Sequence, residues 1–272
     1  MVLPEFDLAK GEHLYLLLDG GQLPELERQL FEVSDNPAYQ PLYIHAPWDS
    51  LREVSPCLVE ASEPLLSWFQ LQPANTGWLL ASPQALLSLA DQLRQLIEVE
   101  SPYGSRILLK LAAPETMACL MVDADPWLWR GITQVWLQTR TGWHHWLVEE
   151  TLADPIGDKC RLTDTQWARL GEVSWQNQQD AAYRHMQAWF PERLAQQSDP
   201  KAWTAHWAKQ AYQLGFQTER DLLLFFNVLG FVGDGWWEGD DYPTLTKYLT
   251  SPSAQTPSQR VELAASWAEQ HA

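Results

Sequence analysis

Few residues in this sequence have the type and spacing to do chemistry. Gly233-Asp234-Gly235-Trp236-Trp237-Glu238-Gly239-Asp240-Asp241 offers three carboxylates, Asp234, Glu238 and Asp240, that could bind calcium. A calcium hand needs Asp or Asn at its third position and Glu at its twelfth. Trp236 and Leu245 stand at those positions. The glycine spacing misses the dinucleotide fingerprint by one residue and follows a predicted helix, not a strand. Two readings stay open. One is a structural turn; the other is an exposed partner-contact site of Trp236, Trp237, Glu238, Asp240 and Asp241. His144-His145 suggests a metal, but strand neighbours point to opposite faces and cannot easily share one ion. A hydrogen-bonded or solvated pair is expected. Asp123 with Asp125, and Glu149 with Glu150, could pose as acid and base. A glycosidase pair needs a cleft and a set separation, which sequence neighbours rarely supply, so solvated charges are expected. There is no Gly-x-Ser-x-Gly, no phosphate loop and no Cys-x-x-Cys. Cys57 has no local sign of an activated thiol. The expectation is no catalytic residue, no metal and no cofactor.

Composition narrows the classes further. The chain has 272 residues, enough for one large domain or two modest ones. It carries 35 acidic and 18 basic residues, a net charge of −17. Phosphate binding needs clustered Lys and Arg, so nucleic acid is not an expected partner. Anionic membrane surfaces are disfavoured for the same reason. No apolar run approaches membrane-spanning length, and Met1–Gly11 lacks a basic-then-apolar leader. Cys57, Cys119 and Cys160 are odd in number and widely spaced, which fits reduced thiols in a cytosolic protein. Most of the 16 tryptophans should be core, with a few at an interface.

The elements that must position these residues begin with Leu14-Tyr15-Leu16-Leu17-Leu18, an apolar run stopped by Asp19-Gly20-Gly21. It reads as a strand buried on both faces. Leu23, Leu26, Leu30 and Val33 then share a helical face, with Pro24 in the first turn. Further strands are expected at Pro41–His45, at Val54–Ala61 (held at an edge or bulge by Pro56) and at Gly77–Ala81. Ser82-Pro83 should start a helix with Leu86, Leu89, Leu93 and Leu96 on one face. Hairpins are predicted for Ile97–Leu111 and Thr133–Val148. Short helices are predicted for Pro64–Phe69 and Pro114–Met121.

From residue 150 strand signals stop and helix caps multiply. Thr163 with Gln166 opens a long helix to about Trp189. Asp199, Thr218 and Thr256 open three more, with Gly215 and Gly230 as stops. A short helix is predicted for Pro243–Leu249. The expected fold is therefore a mixed α/β (α+β) lobe, residues 1–150, with a mixed sheet and flanking helices, followed by an all-helical lobe, residues 151–272.

The order of these pieces resembles the effector chaperones, or adaptors, of bacterial type VI secretion systems, a domain-of-unknown-function family. The family pattern is carried by Leu16-Leu17-Leu18-Asp19-Gly20, Pro41-Leu42-Tyr43, Pro56-Cys57-Leu58-Val59, Gly77–Ser82 and Gly104-Ser105-Arg106-Ile107. The resemblance covers about residues 14–146. Its departure lies at Leu109-Lys110-Leu111-Ala112-Ala113-Pro114, where the family often has Arg-Phe-Tyr-Asp-Pro. The Asp is absent here. Tyr212-x-Leu214-Gly215-Phe216-x-Thr218-Glu219-x-Asp221 and Tyr242-Pro243 resemble the helical extension such proteins often carry.

The resemblance implies a cytoplasmic, non-enzymatic chaperone. It would bind a secreted effector and help load it on the spike protein VgrG. Two other classes are kept: a hydrolase with scattered active-site residues, which substrate panels would reveal, and a Trp-rich carbohydrate-binding module, which an export signal would favour.

Overall fold

The apolar run at the start of the chain sets the architecture. It forms β1 (His13–Asp19), which lies inside a six-stranded sheet. In the computed structural model, which describes residues 2–148, 152–237 and 242–272, the other strands are β2 (Tyr39–Pro41), β3 (Pro56–Glu60), β4 (Gly77–Ser82), β7 (Gln134–Thr139) and β8 (Gly142–Leu147). The strand order is β2-β3-β1-β4-β7-β8, and neighbouring strands pair antiparallel. A separate hairpin joins β5 (Glu98–Glu100) to β6 (Arg106–Leu108). The fold is α+β, with a sheet-bearing first part and helices from Asp164 to Gln270.

Continuous apolar runs are what a sheet covered on both sides requires. One face buries Tyr15, Leu17, Trp78, Leu80, Val135 and Leu137 under α3 (Leu86–Arg94) and α4 (Pro114–Met121). The opposite face buries Leu16, Leu18, Val59, Leu79 and Trp136 under α1 (Leu26–Val33) and α2 (Glu63–Gln70). Leu3, Phe6 and Leu8 of the N-terminal segment extend that second core. Trp78 is fully buried, and its indole N–H donates to the Leu111 carbonyl at 2.8 Å. Gly20 follows the end of β1, where a Cβ would collide with the Ser55 carbonyl oxygen.

Several local expectations are corrected. β3 is interior, not an edge; Pro56 is its first residue, where a missing N–H is tolerated. β2 lies earlier than Pro41–His45, because the Tyr43 N–H leaves the ladder for Ser55 Oγ at 2.9 Å. α1 starts at Leu26, after a turn in which Gln22 and Leu23 N–H donate to the Asp19 carbonyl, so Pro24 precedes it. Ser82 does not cap α3. It ends β4 and its hydroxyl donates to the Gly131 carbonyl at 2.5 Å.

Tertiary contacts divide the chain into two compact units, Met1–Val173 and Ser174–Ala272. The division falls inside α5 (Asp164–Trp189), later than the change of texture at residue 150. Cys160 and Leu162 are buried in the first unit's core, and Leu170 packs against it. Arg169 pairs with Asp123 at 2.8 Å in that unit. Thr163 and Gln166 make the expected reciprocal cap at the start of α5.

All regular secondary structure among the described residues of the second unit is helical. It contains α6 (Pro191–Ala195), α7 (Pro200–Gln213), α8 (Glu219–Val232), α9 (Pro243–Thr250) and α10 (Pro257–Gln270). Its core gathers Trp207, Phe216, Phe225, Phe226, Leu229, Leu245 and Val261. Asp199, Thr218 and Thr256 cap α7, α8 and α10 as the sequence predicts. Gly230 does not stop α8. It lies within the helix, against the Phe190 ring, with no room for a Cβ; Gly233 follows the last turn. Arg260 on α10 donates to the Leu214 and Leu249 carbonyls at 3.1 and 3.0 Å, tying down the ends of α7 and α9.

Candidate partner-binding site

The loop after α8 splits its two tryptophans. Residues Gly235–Trp237 form one 3-10 turn, closed by the Trp237 N–H on the Asp234 carbonyl at 3.1 Å. That turn drives Trp236 inward and leaves Trp237 outside. Trp236 is 1 % exposed and sits in the helical core. Its ring lies 6.2 Å from Phe225 and 6.3 Å from Trp207. Trp237 is 39 % exposed and stands edge-on to Trp207 at 5.6 Å and to Trp236 at 5.3 Å. Of the predicted pair, only Trp237 presents surface; Trp236 is a core residue. Glu238, Asp240 and Asp241 lie outside the described residues.

Asp234 is engaged inside the unit. Its Oδ2 accepts the Trp203 indole N–H at 2.9 Å, which anchors the loop to α7. Asp221, from the Thr-Glu-x-Asp stretch, is 3 % exposed and accepts the Ser258 hydroxyl at 2.8 Å. It therefore joins α8 to α10. The sequence offered no sign of this, because Ser258 is distant in the chain.

The remaining chemical candidates resolve into structural contacts. His145 stacks on Trp136 with ring centroids 4.8 Å apart, and its Nε2 meets Gln134 Oε1 at 3.0 Å. His144 stacks instead on Trp146, with its Nε2 on the Thr139 and Thr141 hydroxyls at 3.0 and 2.9 Å. The two rings serve opposite faces of the sheet, as strand alternation requires. Asp123 and Asp125 are not free charges: Asp123 binds Arg169, while Asp125 accepts the Trp127 N–H at 2.9 Å and the Gln166 amide at 3.2 Å. Glu149 and Glu150 lie outside the described residues. No cluster of three metal-ligating side chains occurs among the described residues.

A cavity of about 690 Å³ opens between α1 and the 3-10 turn at Asp49–Val54. Its charged walls are largely self-satisfied. Glu27 accepts from Arg52 Nε and from the Tyr39 hydroxyl, at 3.1 and 2.9 Å. Burial raises the Glu27 carboxyl, but those hydrogen bonds outweigh it and hold the group below its ordinary value. Cys57 lines this cavity, and burial pushes its thiol well above the ordinary range, with Glu27 adding to the effect. All three cysteines are free. Burial likewise pushes the Cys119 and Cys160 thiols up to about 12.

Two comparisons bear on identity. Residues 14–131 match the family described as "Domain of unknown function (DUF4123)". The whole chain is similar to "Accessory protein VasW" of Vibrio cholerae serotype O1 (strain ATCC 39315 / El Tor Inaba N16961), at 43 % identity over 273 residues. That alignment covers 99 % of this chain and 92 % of the relative. The chain belongs to this family, the type VI secretion accessory family indicated by the ordered motifs. No solved structure matches the chain significantly. No helix among the described residues is long and apolar enough to cross a membrane.

The family motifs acquire physical roles in this fold. Asp19 Oδ1 accepts the Gly21 N–H at 2.8 Å, and Asp19 and Gly20 together make the tight exit from β1. Ala113, where the family often has Asp, is the residue before the first turn of α4 and gives that helix no side-chain cap.

Proposed function

We propose that this chain is an adaptor chaperone of a type VI secretion system. It binds an effector and assists its loading on the VgrG spike, and it catalyses no reaction. The observation that carries this reading is 43 % identity to an accessory protein over 99 % of the chain, helical extension included. The fold supplies no activated thiol, since burial raises all three. Trp237, with Glu238, Asp240 and Asp241 beside it in sequence, is the proposed partner contact, and Trp236 is the buried foot of that loop. An exposed aromatic over a packed base is the form interface anchors take. The net charge of −17 speeds encounter with basic partner surfaces and rejects acidic ones.

The test is co-purification with the effector and spike encoded beside this gene, followed by its deletion. Deletion should lower effector stability or delivery while the apparatus still fires. Normal delivery without this protein would refute the proposal.

A further inference from the structure

We propose that the free edge of β8 docks an extended, basic segment of a partner protein, which joins the sheet as a seventh strand. The inference rests on the adaptor reading for who the partner is; the docking surface is argued from the sheet.

The two edges of the sheet are treated differently. β2 has three residues and ends at Pro41. Arg94 closes it further, donating to the Pro41 carbonyl at 2.8 Å and to Gln40 Oε1 at 3.2 Å. Short length, proline and covering side chains are the usual ways to blunt an edge. Among the described residues β8 has none of them. Its six residues, Gly-Trp-His-His-Trp-Leu, contain no Pro, no Lys and no acidic group. Its register with β7 runs unbroken from Thr139↔Gly142 to Gln134↔Leu147.

The ladder fixes which groups face out. The Val148 N–H donates to the Thr133 carbonyl at 2.9 Å, one step beyond the last strand pair. In an antiparallel ladder the pattern alternates, so Gly142, His144 and Trp146 turn to β7. Trp143, His145 and Leu147 turn their N–H and C=O groups away. None of these backbone groups has a hydrogen-bond partner among the described residues. Such a row is a template for another strand.

The strand is also held ready. His145 is stacked on Trp136, His144 on Trp146, and the Trp143 indole donates to the Val2 carbonyl at 2.9 Å. A preordered edge spends little entropy on docking.

Charge selects the occupant. The N-terminal segment lies beside β8: Trp143 reaches Val2, and the Gln134 amide reaches the Asp7 carbonyl at 2.8 Å and Glu12 Oε2 at 3.3 Å. That segment exposes Glu5 and Asp7. A second copy would bring the same carboxylates and the same net charge of −17 to the edge. A segment with Lys or Arg flanking apolar residues instead meets these carboxylates and covers Leu147, which is 49 % exposed.

The experiment uses the full chain with each protein encoded beside its gene. In a complex, backbone amide exchange at residues 143, 145 and 147 should slow at least tenfold. Leu147→Pro removes an outward N–H and no bond to β7, so it should keep the melting temperature and weaken the complex at least tenfold. If Leu147→Pro fails to fold, amide exchange in the wild-type complex decides alone. A complex that forms with unprotected edge amides overturns the docking inference and leaves the adaptor function standing. Protection that appears in the free protein as it dimerises overturns it in favour of a second copy. If no neighbour-encoded protein binds at all, the adaptor reading fails and the inference falls with it.

Discussion

Trp236 and Trp237 show how much a single turn decides at the scale of the residue. The 3-10 geometry of Gly235–Trp237 puts one ring among Trp207 and Phe225 and leaves the other 39 % exposed. Trp236→Ala should therefore cost about 3–5 kcal/mol of stability, the usual range for deleting a buried aromatic. Trp237→Ala should cost far less and weaken partner binding. Denaturant unfolding of the two variants checks this; equal losses would contradict the split. The cysteines make a second residue-scale prediction. With Cys119 and Cys160 pushed up to about 12, and Cys57 raised further by deeper burial, the thiolate fraction at pH 8 is minute. A thiol reagent should react slowly with the native protein and count three thiols once it is unfolded without reductant. A count of one would mean a disulfide.

Among the elements, α4 is the one whose sequence departs from its family and whose structure shows the consequence. Ala113 has extended geometry, φ −82° and ψ 113°, at the residue before Pro114. That is the position where Asp, Ser or Thr would accept a first-turn N–H. Ala113→Asp should thus stabilise the protein by about 0.5–2 kcal/mol, read as a shift in the unfolding midpoint without a change in slope. No gain would mean that another group already satisfies the helix start. α8 makes the complementary point. Thr218 caps it as its sequence position predicts, whereas Gly230 is a glycine because Phe190 packs against it, and the helix ends at Gly233, whose φ is +82°.

The whole molecule is two compact units with different chemistry of assembly. The first is a sheet with a core on each face; the second is a bundle around aromatic rings. We propose that the two are separate domains. A fragment of residues 160–272 should give a helical circular dichroism spectrum, and a strand-rich spectrum would refute the division. Within α5, residues 171–181 include no fully buried position, and Trp175 packs against the helical core, edge-on to Tyr212 at 5.5 Å.

Local signals in the sequence determined the strand and helix order, the two-faced burial of β1 and β4, the caps at Thr163, Thr218 and Thr256, and the family. Each depends on residues within a turn or two of one another, where periodicity and capping chemistry act directly. The position of β3 inside the sheet was not legible, because strand order depends on which distant runs pair, and Pro56 alone signalled an edge. Nor was the inward path of Trp236, since a Gly-rich acidic sequence looks exposed until Trp207 and Phe225 close around it. The bond from Ser258 to Asp221 joins two helices that no local pattern connects. The open edge of β8 likewise exists only in three dimensions, because a hairpin strand is an edge only when no other strand pairs with its far side, and none does among the described residues.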